Sequence, residues 1–345
     1  MNQASNLSDE HRLADWRDRA LRVEAAVARA IVGQDEVLRL ITVALFTRGH
    51  VLLEGDVGVG KTTVLRAFAR AISGDFERIE GTVDLMPTDL VYDARVDEAG
   101  QPRIDPGPLL RHGEGLTTFF FNEINRARPQ VQALLLRAMA ERSVSAFGRE
   151  HAFPHMTVFA DRNRVEREET FELASAARDR FLFELNMATP VDREVRQDLV
   201  FSTAYHDVDT LMERVDGGVC RGDELNAVAR LVQRSVRASA ELQRYVLELW
   251  AATERPSEYG VSVDGVDMDR LMLAGASPRG IGSLVRAART VAWLAGRDHL
   301  TPADLHAVLP SALAHRVFFQ PVHELRRSEI APAFVRSLMN RIASP

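Results

Sequence analysis

Residues 55–63 read Gly55-Asp56-Val57-Gly58-Val59-Gly60-Lys61-Thr62-Thr63, and Lys61 is the only lysine in a chain of 345 residues. All other members of the 43 Lys+Arg residues are arginine. Gly55, four intervening residues, Gly60, Lys61 and Thr62 make the phosphate-loop pattern. The pattern sits between an apolar run, His50-Val51-Leu52-Leu53, and a helical stripe of Val64, Leu65, Phe68, Ala69 and Ile72, which is the strand–loop–helix setting it requires. Glycines let backbone N–H groups turn inward around phosphate oxygens, and the positive end of the following helix adds to the pull. Lysine places a compact ammonium on a flexible stem that reaches the β- and γ-phosphates, whereas the planar fork of arginine does not suit the same loop. The segment predicts a phosphate grip over Gly55–Thr63, with the Thr62 hydroxyl directed to Mg²⁺.

Such a loop belongs in an α/β sheet, and further strand signals follow it. Phe76–Glu80, Leu116–Phe121, Met156–Ala160 and Phe181–Leu185 read as strands, of which Leu116–Phe121 is apolar on both faces, as a central parallel strand is. Strands separated by helices predict a three-layer αβα domain with a parallel sheet. Ahead of it, Leu13, Trp16, Ala20, Val23, Val27 and Ile31 mark an amphipathic helix from about Ser8. The register changes near Met187–Pro190. Beyond it Glu224–Val236, Ala238–Thr253, Pro278–Ala295 and Pro302–Leu309 read as helices, with no convincing strand. The expected division is an N-terminal helix over 1–30, a nucleotide-binding α/β domain over 31–189, and a small all-α domain with a C-terminal helical extension over 190–345. The segments Val91–Arg103, read as a loop, and Val144–Phe153, read as a hairpin, are expected surface elements for a client or a pore.

Composition narrows the function classes. A net charge of -6 argues against a general nucleic-acid binder, which needs a basic field. Cys220 is the lone cysteine, so neither an intrachain disulfide nor a cysteine-rich zinc site is available. No apolar run approaches the roughly 18 residues of a membrane span, and Met1–Trp16 has no apolar signal core, so a cytoplasmic location is expected.

A second chemical element ends the apolar strand Phe119-Phe120-Phe121 as Asn122-Glu123. Glu123 is placed to orient or deprotonate an attacking water. Asn122 stands where an aspartate is expected to hold a metal's water shell. An amide keeps the shape and one acceptor oxygen but loses the charge, so weaker Mg²⁺ affinity is expected.

Six segments then share one resemblance: Ile31-Val32-Gly33-Gln34, Pro106-Gly107-Pro108, Asn122-Glu123-Ile124-Asn125-Arg126-Ala127, Asp161-Arg162-Asn163, Asp179-Arg180-Phe181 and Gly275-Ala276-Ser277-Pro278-Arg279. In this order they resemble the MoxR family of AAA+ ATPases, over about Ile31 to His315. The resemblance implies ATP as the nucleotide with Mg²⁺, Val32 near the adenine, and an α-helical lid after the α/β domain. It implies that Asn163 reaches the γ-phosphate or the lytic water, that Arg180 is a finger offered to a neighbouring subunit, and that Arg279 senses the γ-phosphate. Arg164 and Arg178 lie close enough in sequence to be alternatives to Arg180. It further implies a ring, a hexamer, with a von Willebrand factor A-domain partner and a client enzyme that is matured, activated or loaded with metal, methanol dehydrogenase being one such client. A Rubisco-activase-like relative and a binding switch with little hydrolysis are the alternatives, the second motivated by Asn122. The chain departs from the family at Asn122, at Asp161 and Arg162 where the family has Thr-Gln, at Ala174-Ser175 for Pro-Glu, and at Arg178 for leucine.

Overall fold

The structure is a computed structural model that describes residues 2–97, 100–163 and 171–345, with side chains from Asp9 onward. Five strands, β1 (His50–Gly55), β2 (Asp75–Glu80), β3 (Leu116–Asn122), β4 (Thr157–Asn163) and β5 (Phe181–Met187), form one sheet in the order β5-β1-β4-β3-β2. The pairs β1–β4, β4–β3 and β3–β2 are parallel. β3 is buried along its whole length, with Phe119, Phe120 and Phe121 fully so, because a central strand is covered on both faces.

The fourth strand runs three residues beyond its sequence signal. Met156–Ala160 was expected to end before Asn163, but β4 continues through Asp161, Arg162 and Asn163, which pair with Leu53, Glu54 and Gly55 of β1. Backbone pairing extends into polar residues there because the ladder, not the side chain, satisfies the N–H and C=O groups. The consequence is that Gly55, at the start of the glycine loop, lies directly beside Asn163.

The chain divides into two compact units, one of Arg19–Arg180 and Leu185–Asn226, the other of Met1–Asp18, Phe181–Glu184 and Ala227–Pro345. In the first, α1 (Asn2–Ala28) contributes the part from Arg19, and α2 (Asp35–Thr47) packs a face from Val37 to Phe46 into the core. The helix after the glycine loop, α3 (Lys61–Ala71), buries Val64, Leu65, Phe68 and Ala71. Next, α4 (Pro129–Glu141) begins with proline at its first turn and buries Val131, Leu135, Ala138 and Met139. The segment Val91–Arg103, expected as a loop, includes a hairpin in which Tyr92–Val96 pairs antiparallel with Pro102–Pro106. A second hairpin, Ser143–Ala146 with Arg149–Ala152, matches expectation, and its Phe147 ring lies 5.5 Å from that of Tyr92.

The second unit is helical: α5 (Leu225–Ser235), of which it holds the part from Ala227, α6 (Ala240–Glu254), α7 (Pro278–Leu294), α8 (Pro302–Leu313) and α9 (Arg327–Arg341). Its chain is not free of strand, as the sequence had suggested. Met272–Ala274 pairs antiparallel with Phe318–Phe319, and in the first unit Cys220–Arg221 pairs with Ile72–Ser73. Segments of two or three residues are too short for an alternating pattern to register. α8 also runs past Pro310, where the sequence suggested a stop at Leu309. Ala312 and Leu313 continue the buried face of Leu305, Val308 and Leu309, and packing outweighs the one lost backbone hydrogen bond. Its start is held by a capping box: Asp304 accepts from Thr301 N at 2.9 Å and also pairs with Arg297 at 2.5 Å.

Candidate nucleotide site

The glycine loop leaves β1 at Gly55, where a Cβ would stand 2.4 Å from the Met187 carbonyl oxygen, so only glycine lets the loop pass β5. Gly58 (φ 82°) and Gly60 (φ 89°) both take the left-handed conformation, and apart from the adjacent residues of the chain no heavy atom of the described residues lies within 4 Å of where their Cβ would be. Glycine is required there by backbone shape and not by crowding. The turn leaves Asp56, Val57 and Gly58 exposed, Val59, Gly60, Thr62 and Thr63 half-buried, and aims the first-turn N–H groups of α3 at the open side.

Lys61 is only 7% exposed. Its ammonium donates to the Gly55 carbonyl at 2.8 Å, the Asp56 carbonyl at 3.1 Å and the Asn163 Oδ1 at 2.8 Å. Asn163 turns its other side-chain group to Glu123, Nδ2 donating to Oε1 at 3.0 Å. The second carboxylate oxygen of Glu123 accepts from Arg126 at 3.0 Å. Glu123 itself is left-handed (φ 53°), unusual for a residue with a Cβ, and its N–H donates to Asp161 Oδ1 at 2.5 Å. Asp161 Oδ2 lies 3.9 Å from Lys61 Nζ. Burial pushes the Asp161 carboxyl up to about 6, against the opposing pull of the Glu123 N–H and the Lys61 charge.

The structure therefore joins Gly55, Asp56, Lys61, Asn163 and Glu123 in one polar chain, and adds Asp161 and Arg126, for which sequence reasoning had no separate role. Their only sequence signal was position: Asp161 two residues before Asn163 on the same strand face, Arg126 three residues after Glu123. Asn122 is 8% exposed, at the end of β3.

For a metal, the fit is that of Mg²⁺ and not of an all-protein cage. Among the described residues no cluster of three or more His, Cys, Asp or Glu is placed to hold a metal ion. Mg²⁺ keeps most of its waters and takes one or two protein oxygens plus phosphate oxygens, and Thr62, Asn122, Glu123 and Asp161 are all oxygen donors.

The remaining expected residues are not part of this chain of bonds. Arg180 donates to the Ala176 carbonyl at 2.6 Å, holding its guanidinium against the short helix Ser175–Arg178. Arg178 is half-buried beside it, and Arg164 lies outside the described residues. Arg279 is exposed in the first turn of α7, whose start is capped by Ser277 accepting from Gly280 N at 3.0 Å. That turn is clamped to α6: Trp250 donates to the Ala276 carbonyl at 2.8 Å, and Ala276 N donates to Thr253 Oγ1 at 3.1 Å. Val32 is half-buried in a segment anchored by Gln34, which donates to the Ala188 carbonyl at 2.8 Å.

Sheet order, glycine loop and a helical unit after the sheet define a phosphate-loop ATPase of the AAA+ class. The model of the ATPase family associated with various cellular activities (AAA) matches residues 50–183, and that of the AAA lid domain matches residues 269–333. The protein MoxR of Methylorubrum extorquens is 57% identical over 333 residues, covering 96% of this chain and 97% of that one. Chaperone MoxR1 of Mycobacterium tuberculosis is 34% identical over 319 residues, 92% of this chain and 78% of that one. A solved structure from Cytophaga hutchinsonii superposes with a TM-score of 0.84 at 26% identity, covering 99% of both chains. The chain belongs to the MoxR family of AAA+ ATPases. Among the described residues no helix is long and apolar enough to cross a membrane.

Proposed function

We propose that this ATPase drives the maturation of a client enzyme as a ring-forming, chaperone-like machine, and that the bonded chain from Lys61 through Asn163 to Glu123 is its hydrolytic centre. The observation that carries this reading is the Asn163 side chain, which bonds Lys61 with its oxygen and Glu123 with its nitrogen. In that position one amide ties the phosphate-binding cation to the carboxylate that activates water. The loop Gly55–Thr63 cradles the phosphates of ATP, with Val32 near the base. Thr62 and Asn122 support Mg²⁺, which when bound neutralises charge on the phosphates. Arg180 serves a neighbouring subunit's site, and Arg279 is a second anion sensor.

Ring assembly follows from a finger that needs a neighbour, and a hexamer is the expected size. The relative named as a chaperone supports a client-directed role. A von Willebrand factor A-domain protein is the expected partner, methanol dehydrogenase a client to test, and the cytoplasm the expected compartment. The paired hairpins carrying Tyr92 and Phe147 are the proposed client-facing surface.

The test is Glu123→Gln, which keeps the Asn163 bond and removes the base. It is expected to bind ATP and to turn it over at least about 10²-fold more slowly. In a pull-down from the source cell, the trapped form should retain partner and client. Turnover unchanged by Glu123→Gln would remove Glu123 from its role.

A further inference from the structure

Asn122 leaves the end of β3 without the carboxylate expected there, yet a buried carboxylate stands on the next strand. β3 and β4 pair in parallel with Phe121 opposite Ala160. Asn122 and Asp161 are the next residues of these two adjacent strands, and the same register carried one residue further would set their side chains on one face of the sheet, on strands about 4.8 Å apart. That face is the one over which Lys61 lies, since Asp161 Oδ2 is 3.9 Å from its Nζ.

We propose that the acidic function of this site has moved one strand over, from position 122 to Asp161, which fixes the backbone of Glu123 and supports the water shell of nucleotide-bound Mg²⁺. The inference rests on the nucleotide-site reading above and deepens it. Asp161 is a positioning residue, since it acts through Glu123 and through water.

Three observations support it. First, the two carboxylate oxygens are differently engaged. Oδ1 accepts the Glu123 N–H at 2.5 Å, while Oδ2 is too far from Lys61 for a direct hydrogen bond and keeps lone pairs for a bridging water. Second, Glu123 is held in a left-handed conformation that a side-chain-bearing residue avoids, and the Asp161 bond is what anchors its N–H. Third, a neutral acceptor at 161 would hold that N–H as well. A charge at a position 2% exposed is expensive unless cations face it; Lys61 and, at longer range, Arg78 act on it within the chain, and the nucleotide's metal would add to them. The amide at 122 is the matching half of the exchange: two carboxylates side by side on one sheet face would repel.

The test is a charge swap read by binding. Mg²⁺ is titrated into protein saturated with a fluorescent non-hydrolysable ATP analogue, and analogue affinity is measured separately in chelator. Asp161→Asn keeps an acceptor for Glu123 and is expected to weaken the Mg²⁺ midpoint by about 10- to 100-fold, with metal-free analogue affinity nearly unchanged. The double variant Asn122→Asp/Asp161→Asn is expected to recover most of that loss. Asn122→Asp alone, with Asp161 intact, is expected to give no gain. The proposal is overturned if Asp161→Asn, shown folded by its melting curve, keeps the wild-type Mg²⁺ midpoint. It is equally overturned if the double variant is no better than the single, or if Asn122→Asp alone tightens Mg²⁺ about tenfold. Failure of the underlying reading looks different: Lys61→Met would then still bind the analogue, whatever position 161 holds.

Discussion

Asn163 donates its side-chain N–H to Glu123 Oε1 at 3.0 Å while its oxygen receives Lys61. One short side chain thus sets the distance between the phosphate-binding cation and the water-activating carboxylate. Asn163→Ala removes both bonds at once. Steady-state ATP turnover is expected to fall by about 10²-fold, the scale of a mispositioned general base, with nucleotide affinity much less affected. Equal loss of affinity and turnover would show that Asn163 serves binding alone.

Lys61→Arg preserves charge and tests shape. The ammonium sits among three acceptors between 2.8 and 3.1 Å away, a geometry that a point-like cation with three protons satisfies. A guanidinium needs more room in a pocket already closed by β4. Calorimetry is expected to show ATP affinity reduced by more than about tenfold, and a conservative tie would mean that charge is all the loop requires.

The loop glycines separate two kinds of constraint. Gly60→Ala meets open space but a left-handed backbone, so the variant should lose about 1–2 kcal/mol and fold. Gly55→Ala places a methyl 2.4 Å from the Met187 carbonyl oxygen and should be far less stable, with soluble yield or thermal melting as the measure. A reversed order of melting temperatures would contradict the geometry.

His50 gives a pH prediction away from the nucleotide loop. Its Nδ1 accepts from Val158 N at 2.9 Å, and its Nε2 faces the Met139 carbonyl at 3.3 Å. Burial, reinforced by Arg142, holds its ring down at about 3 from an ordinary 6.5. Between those values the unfolded chain takes up a proton that the folded one refuses. Stability is therefore complete above pH 6.5 and is lost as pH falls towards 3, at up to about 1.4 kcal/mol per pH unit from this group. His50→Gln should show a shallower drop in melting temperature between neutral pH and pH 4.5. Parallel curves for the two proteins would remove His50 from the acid response.

Much of the fold was legible because its signals are local. Three polar residues at the end of β4 broke the apolar pattern and concealed that strand's true length. The hairpin at Tyr92–Pro106 was hidden for a related reason, since its strands are largely exposed and carry no buried face to alternate. Glu123 and Asn163 could each be named from their place after an apolar run, but not their bond to each other.

The sequence alone determined the phosphate loop, its lysine, and the Asn122-Glu123 pair that ends an apolar strand, because each depends on residues within a few positions of one another. Only the tertiary structure decided that Asp161 accepts the Glu123 N–H and faces Lys61. Those neighbours are set by which strands pair and in what register, and that choice is made by burying the sheet as a whole, not by any short stretch of chain.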